Sequence, residues 1–121
     1  MNESFKALMG LILPSGLEEY FELTNHKKDG DTLHFYLKEL NIIPPEYSSN
    51  KLLSNGFFDE VTIQDFPIRG QRVFLHVTRR RWLNKDTGKV VFRDWQVVAK
   101  GTRITKEFAA FLKEFRRYTG S

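Results

Sequence analysis

The chain has 121 residues, 40% hydrophobic and 14% aromatic, which excludes a disordered tail and is enough for one domain with a small core. It has no cysteine, which excludes disulfides, thiolate metal sites and cysteine nucleophiles. The formal charge of +4 conceals a split: residues 1–60 carry 5 Lys and no Arg against 10 Asp and Glu, whereas residues 61–121 carry 5 Lys and 9 Arg against 5 Asp and Glu. A domain polarised in this way suits a polyanion on one side.

Phe5, Leu8, Met9, Leu11 and Ile12 predict a short N-terminal helix that ends at Pro14-Ser15-Gly16, with Leu17–Phe21 as a further turn. The glutamates Glu3, Glu18 and Glu19 are unlike a signal peptide. No apolar run approaches the roughly 18 residues that span a membrane, so a cytoplasmic protein with no membrane partner is expected. An alternating strand begins at Phe21-Glu22-Leu23-Thr24. Its partner is Leu33–Lys38, with Leu33, Phe35 and Leu37 on one face and His34, Tyr36 and Lys38 on the other. Lys28-Asp29-Gly30-Asp31 supplies the hairpin turn between them. Residues 41–56 contain Pro44-Pro45, Ser48-Ser49-Asn50 and Asn55-Gly56 and predict a connection without strand.

Residues 58–66 predict a third strand that stops before Pro67, because proline lacks the N–H a ladder needs. Ile68-Arg69-Gly70-Gln71 turns the chain into the longest predicted strand, 72–83. Val73, Leu75 and Val77 share one face of it, and Phe74, His76 and Trp82 the other. Asn84–Gly88 is a hairpin loop, after which residues 89–98 return as a strand. A helix runs from Thr105, its N-cap, to Tyr118, with Phe108, Phe111, Leu112, Phe115 and Tyr118 as the core stripe. The expected fold class is α+β. Antiparallel hairpins and a β-meander are followed by a C-terminal amphipathic helix. Residues 1–57 form an acidic hairpin unit and residues 58–118 a basic meander-and-helix unit, together as one compact domain.

Arg79-Arg80-Arg81-Trp82 is the sharpest functional feature. Alternation sends Arg79 and Arg81 to one face and Arg80 with Trp82 to the other, which fits a strand end projecting toward phosphates. Lys85 and Lys89 extend the cations over the hairpin tip. Arg103, Lys106, Lys113 and Arg117 offer a second basic surface at the terminal helix. Trp82 braces the hairpin or stacks on a base. The competing reading is a solvated strand end paired with Asp86 and Asp94.

His26, His34 and His76 lack ligand spacing, so no metal is expected and no cofactor is implied. Asp59, Glu60 and Asp65 are too few and scattered for nuclease chemistry. No phosphate-binding glycine loop, dinucleotide fingerprint or serine elbow is present, so no enzyme is expected.

Asp65-Phe66-Pro67-Ile68-Arg69-Gly70-Gln71-Arg72-Val73-Phe74-Leu75-His76-Val77-Thr78-Arg79-Arg80-Arg81-Trp82 resembles the N-terminal region of ISL3-type transposases of bacterial insertion sequences. More closely, the chain looks like the ISAon1 family transposase N-region proteins, over residues 58–118. The resemblance implies a zinc-ribbon-like hairpin, double-stranded DNA as partner and a separate catalytic transposase subunit. Asn84 and Thr87 stand where that family places knuckle cysteines, while Gly88 stays. The ribbon hairpin is therefore expected without zinc, its turn held by Asn84, Asp86 and Gly88.

Two functions follow. One is a non-catalytic DNA-binding module; the other is a subunit that docks a catalytic transposase chain with little DNA affinity of its own. Residue chemistry alone leaves duplex DNA, RNA and single strands open.

Overall fold

The computed structural model describes residues 2–95 and 105–119, the side chains of 114–119 excepted. Helix α1 (Glu3–Ile12) starts where the Asn2 side chain accepts a hydrogen bond from Phe5 N at 2.7 Å, the usual N-cap arrangement. A single turn, α2 (Leu17–Tyr20), follows. Strands β1 (Phe21–Asp29) and β2 (Thr32–Glu39) form the expected hairpin. Its two central residues are Gly30 and Asp31. Only Gly30 has positive φ (62°), as a turn with glycine at its first central position requires.

A four-stranded sheet has the order β1-β2-β5-β4, where β4 is Val61–Ile68 and β5 is Gln71–Thr78. Strands β4 and β5 are antiparallel across the Arg69-Gly70 turn, whose φ angles of 51° and 75° are both positive. Strands β2 and β5 are parallel. The fold is therefore α+β with a mixed sheet, and the purely antiparallel meander is corrected. Register aligns Leu37, Val77 and Val61 in one row, Phe35, Leu75 and Ile63 in the next, and Leu33 with Val73 in a third. Met9, Leu13 and Leu17 cover this face, and with Phe21 they close the core. Each fully buried aliphatic there contributes about 1.5–3 kcal/mol.

A second sheet, ordered β3-β6-β7, is built from β3 (Leu52–Phe57), β6 (Arg80–Asn84) and β7 (Lys89–Val91). Strand β3 lies in the stretch expected to be a connection. Its Leu-Leu-Ser-Asn-Gly-Phe run carries no alternation, and pairing with β6 is what makes it a strand. The predicted strand 72–83 is cut at Arg79, where the chain passes from the large sheet to the small one. The cause lies in the burial pattern. Val73, Leu75 and Val77 are buried at odd positions, but Trp82 is buried at an even one, so the inward face must change between them.

Strand β4 continues through Pro67. Proline is tolerated because β4 is an edge strand and its register shifts between Asp65 and Ile68. The return strand ends at Val91; residues 92–95 are not strand, and the expected continuation through 96–98 lies outside the described residues.

Helix α3 (Lys106–Thr119) is capped by Thr105, whose hydroxyl accepts from Phe108 N at 3.3 Å and donates to Asp65 Oδ1 at 2.8 Å. Thr105 N also donates to Gln64 O at 3.0 Å, which ties the cap to β4. Phe108 is buried. Phe111 is half exposed, yet its ring meets Phe66 of β4 at 5.4 Å, beside the Phe66–Phe108 contact at 5.2 Å; Leu112 is exposed. The side chains of Phe115 and Tyr118 lie outside the described residues. No zinc-ribbon fold is present among the described residues, and none of their helices is long and apolar enough to cross a membrane.

Candidate nucleic-acid interface

The strand switch at Arg79 positions the three arginines. Phe58 N donates to Arg79 O at 2.9 Å, which brings the Phe57-Phe58 pair alongside the basic run. Arg79 and Arg81 lie on one side, their guanidinium carbons 4.7 and 5.4 Å from the centre of the Phe58 ring. Phe92 meets Phe58 edge-on at 5.3 Å. Neither Arg79 nor Arg81 enters an ion pair among the described residues, and Arg81 Nε makes no hydrogen bond there. Both lie against the aromatic ring, and among the described residues no carboxylate neutralises their charges.

Arg80 points the other way and is committed. Its backbone N donates to Glu39 Oε1 at 2.9 Å, a terminal nitrogen donates to Ser54 Oγ at 2.7 Å, and its guanidinium lies 4.7 Å over the Phe57 ring. Trp82, on the same side, is 0% exposed and donates from Nε1 to Asn41 Oδ1 at 2.8 Å. Its indole braces the hairpin from inside, so it has no free face on which a base can stack. Sequence alternation separates these two pairs of residues correctly, but it does not show which side is the interior.

Lys85 and Lys89 are exposed at the β6–β7 tip. Hydrogen bonds within the turn hold it. Asn84 Oδ1 accepts from Asp86 N at 3.0 Å, and Asn84 O accepts from Gly88 N at 2.7 Å. Asp86 does not pair with the arginines. Its carboxylate accepts from Asn50 Nδ2 and from Lys51 N, both at 3.1 Å, and these bonds hold its pKa below the usual carboxylate value. Lys106 and Lys113 are exposed on α3, which packs against β4 of the large sheet, away from the hairpin's own strands. Arg103 and the side chain of Arg117 lie outside the described residues.

Three features of this region escape the sequence reading. The strands of the small sheet contain no Asp or Glu. Leu53 pairs with Leu83, and Leu83 with Val90, so three aliphatic side chains form one row beside the arginines on the same face. Phe58 and Phe92 complete that face. The signal for the row was the Leu52-Leu53 and Val90-Val91 pairs flanking Leu83, legible only once β3 is known to be a strand.

The outer face of the large sheet holds a column of rings. Tyr36 stacks on His76 at 4.4 Å, His76 on His34 at 5.0 Å, and His34 on Phe74 at 5.9 Å. His34 Nδ1 and His76 Nε2 are hydrogen-bonded at 2.8 Å, and His76 Nδ1 faces Glu60 Oε1 at 3.3 Å and Thr62 Oγ1 at 3.1 Å. Burial pulls the pKa of His76 below its usual value, with Glu60 opposing. The parallel β2·β5 pairing assembles this column, and both His76 nitrogens are occupied within it. His26 is exposed on β1 and takes no part. Asp65 is buried against Thr105, which separates it from exposed Asp59; burial raises its pKa, against the Thr105 and Phe66 hydrogen bonds. Among the described residues no group of three His, Asp or Glu is arranged to hold a metal ion.

No protein-family model matches the chain, and neither the curated proteins nor the solved structures contain a match.

Proposed function

We propose that this protein is a non-catalytic nucleic-acid-binding module of a transposition system that contacts DNA through the outer face of its small sheet. The observation that carries the reading is the cluster of Arg79 and Arg81 on the Phe58 ring, two guanidiniums that form no ion pair among the described residues, on a sheet without a carboxylate in its strands. Guanidiniums held this way are pre-oriented, so less side-chain entropy is lost when a phosphate is bound. Lys85 and Lys89 add charge at the hairpin tip, and Lys106 and Lys113 offer a separate cationic helix face. Trp82 and Arg80 support the hairpin. The transposase association rests on the likeness of residues 58–118 to the N-region proteins, with the bonded Asn84–Gly88 turn standing in place of the zinc knuckle.

Fluorescence anisotropy with labelled DNA from the ends of the host element, across a salt series, tests this. Arg79→Ala with Arg81→Ala removes two phosphate contacts and flattens the slope of log K against log salt by about 1.4–1.8. An unchanged slope, or no binding at low salt, rejects the interface.

A second reading is supported by a different face. Leu11 of α1 is exposed, and beside it lies a cleft of about 470 Å³ lined by Leu11, Ile12, Pro14, Phe66 and Pro67 together with the carboxyl-bearing Asp65 and Glu107. A catalytic transposase chain docked there would make the protein a subunit as well as a DNA reader. Co-purification of the two chains, lost in Leu11→Asp, supports it; retention in that variant argues against this cleft.

A further inference from the structure

Beside the arginines of the small sheet lies a surface that phosphate chemistry does not use. Leu53, Phe92 and Val90 are 53%, 47% and 40% exposed, and Leu83 joins Leu53 to Val90 across the sheet. Neighbouring strands lie about 4.8 Å apart, so the row is a nearly flat strip about 10 Å wide. Such a strip matches the face of a planar base. It matches poorly with a duplex, which hides its base faces in the stack and turns charged phosphates outward.

We infer that the small-sheet face binds single-stranded nucleic acid in preference to duplex, with phosphates on Arg79, Arg81 and Lys85 and unstacked bases on Phe92 and the Leu53–Leu83–Val90 row. The inference rests on the nucleic-acid reading of this face and narrows it. Cations and apolar surface sit side by side in the order a single strand presents them, sugar-phosphate on one side and base on the other. The cations have no acidic competitor in these strands. Phe58, with the Arg79 and Arg81 guanidiniums 4.7 and 5.4 Å from its ring centre, is the floor of the site, whereas Phe92 meets it edge-on and is 47% exposed.

The test uses the full chain, a fluorescein-labelled strand of about 20 nucleotides, its duplex with the complement, and an RNA strand of the same sequence. The expected result is single-strand binding at least about tenfold tighter than duplex binding. Phe92→Ala should weaken single-strand binding by about 5- to 150-fold, the usual worth of one base–aromatic stack. Because Phe92→Ala also removes packing against Phe58, Phe92→Leu serves as a folding control that keeps apolar contact and loses the ring. Leu53→Ser with Val90→Ser should reduce single-strand affinity without changing the salt slope. Duplex binding equal to or tighter than single-strand binding, or single-strand affinity unmoved by these variants, overturns the inference and leaves the DNA-binding module standing. Failure of both strand forms to bind at low salt overturns both readings and leaves a protein segment as the occupant. The RNA arm separates the two sources of an unpaired strand.

Discussion

Glu39 is 2% exposed at the end of β2, where the large sheet meets the small one. Its Oε1 accepts from Arg80 N at 2.9 Å. Its Oε2 sits 3.9 Å from Arg93 Nε without completing a hydrogen bond to it or to Trp95 Nε1. Arg93 is otherwise held 4.4 Å over the Tyr20 ring and donates to Ile42 O at 3.1 Å. Glu39→Ala strips the acceptor from Arg80 N and the countercharge from Arg93, so about 3–5 kcal/mol of stability should be lost. Domains of this kind hold only about 5–15 kcal/mol in total, so the variant should be marginal.

Glu39→Gln keeps an oxygen for Arg80 N. It removes a buried charge together with its attraction to Arg93, and these effects offset, leaving a change within about 1 kcal/mol near neutral pH. Burial raises the Glu39 pKa, against the Arg80 hydrogen bond, the Trp95 indole and the Arg93 and Arg80 charges. A raised folded value means that the contribution to stability is full below the usual carboxylate pKa of 4.5 and is lost as pH rises through the folded value. The wild-type chain should therefore gain on Glu39→Gln as pH falls from neutral toward about 4. Urea unfolding of all three proteins at both ends of that range measures the differences. An alanine variant that loses less than about 1 kcal/mol, or a wild-type-to-glutamine gap that does not widen in acid, refutes the argument.

Two further predictions concern the hairpin brace and the ring column. Trp82→Ala should cost about 3–5 kcal/mol through the cavity it leaves, followed by urea unfolding with Trp95 as the remaining fluorophore. Trp82→Phe should cost less, because it keeps most of the ring and frees exposed Asn41 to bond water. For His76 the depressed pKa works in the opposite sense to Glu39. Its contribution is full above the usual value of 6.5 and is lost as pH falls through the lower folded value, so His76→Gln should flatten the decline in melting temperature below that pH.

Much of the local structure was legible in the sequence because its causes are local. The Gly30 and Arg69-Gly70 turns, the alternation of β2 and β5, and the Thr105 cap each depend on a few adjacent residues. So does the division of Arg79 and Arg81 from Arg80, which follows from the two-residue period of a strand. Strand β3 was not legible, because Leu-Leu-Ser-Asn-Gly-Phe has no period and becomes a strand only by pairing with β6. Pro67 misled for a related reason: its cost depends on whether β4 is central or at an edge, which a single strand does not reveal.

The sequence by itself determined the split of charge, the absence of thiol chemistry, the two tight turns and the alternating faces of β2 and β5. Tertiary structure alone decided which side is the interior. The parallel β2·β5 pairing sets residues 42 positions apart against each other and so makes the His34–His76 contact. The break at Arg79 turns Trp82 inward and leaves Arg79, Arg81 and the Leu53–Leu83–Val90 row outward. Burial is a property of what other segments cover, and no short window of sequence contains those segments.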